Sequence, residues 1–269
     1  MSTRALLEPV CLLARAAGAA IMDVYRQADF GVVSKDDASP LTQADLAAHE
    51  IIRAGLARLT PDLPLLSEEA ADIDWDTRRQ WQRYWLVDPL DGTKEFIKRN
   101  GEFTVNIALI EDGVPVLGVV YAPVLDWLYA GVQGSGASKQ TPAGVQHISV
   151  VPVQEGSGTL RVVASRTHRG EKLDVWLTAA ARQFAAVETV SMGSSLKICL
   201  VAEGAADIYP RLAPTSEWDS AAAQAVLEAA GGKLLDAQGE EYRYNRKPEL
   251  LNPDFFAVGD TRYELPKQE

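Results

Sequence analysis

Two aspartates three residues apart, Asp88 and Asp91, lie in the run Trp85-Leu86-Val87-Asp88-Pro89-Leu90-Asp91-Gly92-Thr93-Lys94-Glu95-Phe96. Apolar residues precede the pair, a proline stiffens the turn between them, and a glycine and a hydroxyl follow where the chain should enter a helix. Ser67-Glu68-Glu69 lies upstream and Trp218-Asp219 far downstream. Hard divalent cations such as Mg²⁺ take oxygen ligands and often share them with phosphate. Acidic side chains on a stiff turn, a backbone carbonyl between them and a further Glu and Asp suit metal-assisted phosphate chemistry.

Each acid also has a plain structural explanation. Asp88-Pro89 and Asp91-Gly92 are common turn dipeptides, Asp45 lies three residues after Thr42 as in a capping box, and Asp219 can cap a helix. Glu68-Glu69 can be a solvated loop. The combination is harder to explain as surface decoration, because the acids all fall at element ends.

The elements that must position them follow from periodicity. Leu6, Val10, Leu13, Ala17, Ile21 and Val24 are spaced for a long amphipathic helix over 5–25. A second helix is predicted from Thr42, its N-cap, to Leu59, closed by Pro61 and Pro64. Leu65-Leu66 reads as a short strand running into Glu68, and Tyr84–Val87 as another. Residues 103–110, 114–121 and 127–132 read as consecutive strands, with Asp112-Gly113 as a hairpin turn. The Gly/Ser/Thr-rich stretch 134–144 is expected to be a loop. It is not a phosphate loop, since Gly134-Ser135-Gly136 lacks the following Lys-Ser/Thr. Beyond a domain boundary near 150–158, a strand at 160–164, helices near 171–184 and 194–203 and a strand at 206–209 alternate. The last helix is predicted from Asp219 to Ala230, stopped by Gly231-Gly232.

At 269 residues, 47% apolar and 23% charged, the chain has the composition of a soluble globular protein of one or two domains. A formal charge of −11 argues against binding a nucleic-acid polymer through a basic surface. Small anions remain eligible substrates, because bound cations reverse the field of an acidic site. The two cysteines, Cys11 and Cys199, are expected to be free thiols. His49, His147 and His168 are too scattered for a zinc site. No signal peptide and no membrane-spanning run of about 20 apolar residues is expected.

Ser67-Glu68-Glu69, Asp88-Pro89-Leu90-Asp91-Gly92-Thr93 and Trp218-Asp219 resemble the motifs of the Mg²⁺-dependent, lithium-sensitive phosphatases of the inositol monophosphatase superfamily, in order and over nearly the whole chain. Within it, Lys94-Glu95-Phe96 is similar to the 3′(2′),5′-bisphosphate nucleotidase branch. So are Ser34-Lys35-Asp36-Asp37, Ser39-Pro40-Leu41-Thr42, Ser165-Arg166-Thr167-His168, Gly193-Ser194-Ser195-Leu196-Lys197 and Tyr209-Pro210-Arg211. The resemblance implies an α/β (α+β) fold, a layered αβαβα sandwich divided into 1–155 and 156–269 with the active site between. It implies a first Mg²⁺ on Glu68, Asp88 and the Leu90 carbonyl, a second on Asp88, Asp91 and Asp219, and Glu69 behind them or near a weaker third. Asp45 and Thr93 are the implied pair that activates a metal-associated water. Glu68, Asp91, Gly92, Thr93, Lys94, Ser165, His168, Ser194, Lys197 and Asp219 are the implied substrate contacts, and Arg211 is placed either on phosphate or base or on a local acid.

The implied reaction removes the 3′-phosphate of adenosine 3′,5′-bisphosphate to give AMP. By extension it takes the same phosphate from adenylyl-sulfate donors, a link to sulfate assimilation. An inositol or other sugar phosphatase is the alternative, and a catalytically silent metal or nucleotide sensor a more distant one. The setting implied is cytoplasmic, with peripheral contact at the inner membrane and a homodimer both left open.

Overall fold

The computed structural model describes residues 2–27, 40–153, 158–164 and 170–262. Ser34-Lys35-Asp36-Asp37, Ser39, Ser165 and His168 lie outside the described residues. Among the described residues, seven strands from Leu65 to Ile148 form one sheet in the order β1 to β7. β1 (Leu65–Ser67) runs parallel to β2 (Arg83–Asp91). The rest is an antiparallel meander of β3 (Thr104–Glu111), β4 (Val114–Ala122), β5 (Trp127–Val132), β6 (Gly136–Thr141) and β7 (Gly144–Ile148). Asp112 and Gly113 turn β3 into β4 with positive φ at both, 52° and 82°, as the tight hairpin requires.

A second sheet takes the order β11-β12-β10-β8-β9, from β8 (Thr159–Ala164), β9 (Ala186–Ser191), β10 (Ile208–Arg211), β11 (Lys233–Asp236) and β12 (Phe255–Val258). The helices fill the layers around the two sheets. α1 (Thr3–Gln27) and α2 (Pro40–Leu59) cover one face of the first sheet, sharing a core with Trp85, Val87, Ile107 and Val119. α6 (Leu196–Ala202) and α7 (Glu217–Ala229) lie between the sheets, packed with Leu86, Ala108 and Val120 on one side and Phe255 and Ala257 on the other. α5 (Glu171–Ala180) closes the far face with Leu160, Val162 and Phe256. α3 (Trp75–Arg78) and α4 (Thr93–Lys98) are short connectors. The layering is αβαβα, as expected.

Residues 134–144 and the start of α2 differ from expectation, and α3, β9, β11 and β12 are not predicted by the sequence pattern. Residues 134–144 are mostly strand, since β6 pairs with β5 from Val132↔Gly136 to Leu128↔Gln140 and β7 extends the edge. Glycine, serine and lysine have weak strand propensity, and pairing with the apolar β5 overrides it. α2 begins at Pro40, where a missing N–H costs nothing. Thr42 is therefore inside the helix, and Asp45 sits beyond the first turn, where no capping box operates. α1 is long and apolar enough, by length and composition, to cross a membrane. Its Leu6, Val10, Ala14, Ala17 and Ile21 are instead buried in the core against α2 and the sheet.

Candidate metal centre and active site

Along a regular strand, residues three apart point to opposite faces. Asp88 and Asp91 escape that rule because β2 bulges between them. Asp88 pairs with Asn106 and Asp91 with Thr104, so Pro89 and Leu90 together stand against Val105. The extra residue bends the strand and brings both carboxylates to one side. Pro89 has no N–H to lose there, and the Leu90 N–H donates to Asp88 Oδ1 at 3.0 Å, fixing the turn. Gly92 follows at φ 98°, and a Cβ on it would press on Phe103 Cα at 3.2 Å and Ser194 Cβ at 3.3 Å. The chain then enters α4 at Thr93, with the Phe96 N–H on the Gly92 carbonyl at 2.9 Å.

β1 lies beside β2 with Ser67 opposite Val87, so the 3₁₀ turn Glu68–Ala70 emerges next to Asp88. Ser67 Oγ is 2.9 Å from His49 Nδ1 on α2, and one turn earlier on α2 stands the buried Asp45. Asp219 is the third residue of α7, where its Oδ2 accepts the Ser216 N–H at 2.9 Å. Carboxylate oxygens of Asp88, Asp91 and Asp219 all lie within 4.8 Å of one another.

That crowding raises the proton affinity of Asp88 and Asp219, and of Asp45 and Glu68 beside them. Asp88 is 1% exposed, and burial first, then Glu68, Asp91 and Asp219, pushes its carboxyl well above the ordinary range. Burial and the charge of Asp91 lift Asp219 to about 7, against the opposing bond from Ser216. Burial and the charges of Glu69 and Glu68 lift Asp45 to about 8. Glu68 is exposed as a residue, yet its carboxyl end is crowded: burial raises its pKa, opposed by a hydrogen bond shared with Asp88. Closely packed carboxylates need protons or cations to coexist, and a donor set made only of hard oxygens fits Mg²⁺ rather than a softer metal.

Beside the acids opens a cavity of about 140 Å³, lined by Asp91, Gly92, Ser194, Lys197, Arg211 and Asp219 among others. Lys197 is buried, with Nζ donating to the Ser194 carbonyl at 2.8 Å and lying 5.8 Å from the centre of the Tyr209 ring. Arg211 Nη2 donates to the Pro214 carbonyl at 2.9 Å, whereas its buried Nε has no hydrogen-bond partner.

The expected residues therefore fall into groups. Asp88, Asp91 and Asp219 converge, with Glu68 close enough to raise the pKa of Asp88 and Asp219, and Asp45 close enough to raise that of Asp88. Leu90 occupies the bulge. Gly92, Ser194 and Lys197 line the adjoining cavity, and Thr93 and Lys94 are exposed at the start of α4. α2 packs against both the 3₁₀ turn and α4, which makes the elements carrying Asp45 and Thr93 neighbours. Three residues at the site have no role there on sequence alone: Asn106, His49, which is weighed only as a zinc ligand, and Ser195, which enters only as part of the Gly193–Lys197 motif. Asn106 is a polar residue within an apolar strand, His49 lies on a helix and Ser195 at a helix start, weak signals that only a partner across the fold makes meaningful.

The model of the inositol monophosphatase family matches residues 3–262. The chain is 52% identical over 251 residues to the 3′(2′),5′-bisphosphate nucleotidase CysQ of Escherichia coli O157:H7, covering 93% of this chain and 98% of that one. Among solved structures it is similar to CysQ from Bacteroides thetaiotaomicron, a bacterial member of the inositol monophosphatase family, with TM-score 0.83 and 42% identity across 96% of this chain and 95% of that one. An inositol monophosphatase from Zymomonas mobilis aligns with TM-score 0.74 and 25% identity, over 97% of this chain and 96% of that one. With its bulged Asp88–Asp91 turn, its convergent Asp219 and a match from end to end, the chain belongs to the inositol monophosphatase family.

Proposed function

We propose that this protein is a Mg²⁺-dependent phosphomonoesterase that removes the 3′-phosphate of adenosine 3′,5′-bisphosphate, giving AMP and phosphate. The same site would act on the 3′-phosphate of adenylyl-sulfate donors, a role tied to sulfate assimilation. The observation that carries the reading is the convergence of Asp88, Asp91 and Asp219 beside a cavity that holds two cationic side chains, Lys197 and Arg211. Two phosphates on one substrate call for that division: acids with cations for the phosphate that leaves, fixed positive charge for the one that stays.

Glu68, Asp88 and the Leu90 carbonyl would hold one Mg²⁺, and Asp88, Asp91 and Asp219 a second, with Glu69 toward a weaker third. Bound there, the ions supply charge neutralisation for the phosphate and a more acidic attacking water. Asp91 offers them its Oδ1, since its Oδ2 is held by Ser195. The Thr93 hydroxyl would orient the attacking water and the Asp45 carboxylate would take its proton as general base. The N–H groups of Gly92 and Thr93 bind the phosphate oxygens. Glu68, Lys94 and Ser194 border the substrate, and Lys197 Nζ meets the second phosphate as a point charge. Residues 1–155 and 156–269 would act as two halves around this site. The free thiols of Cys11 and Cys199 fit a cytoplasmic setting.

Phosphate release from adenosine 3′,5′-bisphosphate, inositol 1-phosphate and fructose 1,6-bisphosphate, compared at saturating Mg²⁺, tests the reading. The nucleotide should have the highest kcat/KM. A preference for inositol 1-phosphate would move the protein to the sugar-phosphatase alternative, and no release from any substrate would leave the sensor reading standing.

A further inference from the structure

Ser195, just before α6, stands between the bulged end of β2 and the first turn of α7. Its N–H donates to Asp91 Oδ2 at 2.6 Å, and its Oγ lies 2.8 Å from that same oxygen and 2.5 Å from the Asp219 carbonyl. Asn106 Nδ2, on β3, donates to the same Oγ at 2.9 Å. The residue is 3% exposed. With a lone pair occupied by Asn106, the hydroxyl has one proton to share between Asp91 Oδ2 and the Asp219 carbonyl, so Asn106 sets the direction of the group. One small side chain thereby ties β2, β3 and the first turn of α7 together.

The backbone is bent to make this contact. Ser194, immediately before, has φ 47°, a left-handed conformation unfavourable for a non-glycine residue. Such strain survives where surrounding contacts hold it, and here it aims the Ser195 N–H at Asp91. The tie holds together groups that would otherwise separate, since carboxylate oxygens of Asp91 and Asp219 lie within 4.8 Å of each other and like charges that close repel. The Ser195 N–H on Asp91 and its single hydroxyl proton, placed between Asp91 Oδ2 and the Asp219 carbonyl, hold the pair within ligand distance.

We propose that Ser195, directed by Asn106, is a positioning residue that preorganises Asp91 and Asp219 for a cation and so sets Mg²⁺ affinity rather than substrate affinity. The proposal rests on the metal-dependent reading above. Partners that orient metal ligands typically contribute 10–100-fold in metal affinity. Calorimetric titration with MgCl₂ alone tests it on the wild-type protein, Ser195→Ala, Ser195→Thr and Asn106→Ala, each checked for fold by circular dichroism. Ser195→Ala should weaken Mg²⁺ binding by about 10-fold or more, and Asn106→Ala should weaken it less. Ser195→Thr, which keeps the hydroxyl, should recover much of the loss. At saturating Mg²⁺ the KM for adenosine 3′,5′-bisphosphate should stay within about twofold of wild type, because the substrate's own contacts are intact. A folded Ser195→Ala protein with unchanged Mg²⁺ affinity would overturn the proposal, as would a shift in substrate KM alone. If Ser195→Ala does not fold, Asn106→Ala decides, and unchanged affinity there is equally fatal. Absence of Mg²⁺ binding by the wild-type protein would instead bring down the underlying functional reading.

Discussion

Asp91 uses its two carboxylate oxygens differently. Oδ2 receives the Ser195 N–H and hydroxyl at 2.6 and 2.8 Å, and longer approaches from Thr104 and Asn106 at 3.5 Å. Those donors fix the plane of the carboxylate and leave the other oxygen for a cation. Asp91→Asn keeps the volume while removing the charge, and its amide group cannot satisfy the Ser195 donors and the cation together. It should cut kcat by several orders of magnitude with the fold intact; near-normal turnover would refute the ligand assignment. Lys197 works under different constraints. Burial lowers its pKa, while Asp91, Glu95 and Glu102 oppose that shift. Lys197→Ala should raise KM for adenosine 3′,5′-bisphosphate about 10-fold, the equivalent of about 1.4 kcal/mol, and affect inositol 1-phosphate much less. Equal effects on both substrates in steady-state kinetics would remove Lys197 from recognition of the second phosphate.

Among the elements, α7 decides how far Asp219 reaches. Its small residues Ala221, Ala222, Ala223 and Ala225 are buried, which lets the helix settle deep between the sheets. Opposite it, Gly118 on β4 leaves no room to spare. A Cβ there would run into the Ala222 carbonyl oxygen and approach Ala225 Cβ to 2.7 Å. Gly118→Ala must push the helix outward, because the obstacle is backbone rather than the end of a flexible side chain. Overpacking of this kind costs about 1–3 kcal/mol, and the displacement would carry Asp219 away from Asp91. Lower thermal stability together with weaker Mg²⁺ activation is the expected outcome, and a variant that lost stability but kept its Mg²⁺ dependence would show that α7 does not set the site. The start of the same helix is held from behind. Glu217 accepts the Asn245 N–H at 3.1 Å, and Arg78 Nη1 donates to Asn245 Oδ1 at 2.9 Å.

For the molecule as a whole, the acid cluster links stability to pH and metal. In the metal-free protein the folded carboxyls of Asp45, Asp219 and Glu217 release their protons at about 8, 7 and 7, against ordinary values of 3.8 to 4.5. Between those limits the folded state binds more protons than the unfolded one, so stability falls as pH rises. The melting temperature of EDTA-treated protein should therefore drop between about pH 5 and pH 8. Saturating Mg²⁺ should lift it most at the alkaline end, since a ligand at 100 times its Kd adds about 2.7 kcal/mol, or roughly 5–10 °C for a chain this size. A melting profile independent of both pH and Mg²⁺ in differential scanning calorimetry would deny the cluster any cation. The layers are pinned elsewhere by Lys139 on β6 and Glu203 after α6, which pair at 2.7 Å with their side chains 10% and 12% exposed.

Much of this was legible in the sequence, because local chemistry dictates it. The Asp88–Thr93 run specifies a proline-stiffened turn, a left-handed glycine and a helix start within a few bonds of one another. The meander of β3 to β5 follows from alternation and from Asp112-Gly113, and α1 from its apolar stripe. Residues 134–144 became strand only because β5 offered an edge to pair with. Asp45 lost its capping reading only once α2 was seen to begin at Pro40. Which oxygen of Asp91 stays available is settled by Ser195, which reaches it across 104 positions of chain and is itself held by Asn106 across 89. The sequence by itself determined which residues could ligate a cation, since that depends on side-chain chemistry. Their convergence required the bulge in β2 and the seating of α7 against Gly118, which exist only when the sheets and helices pack.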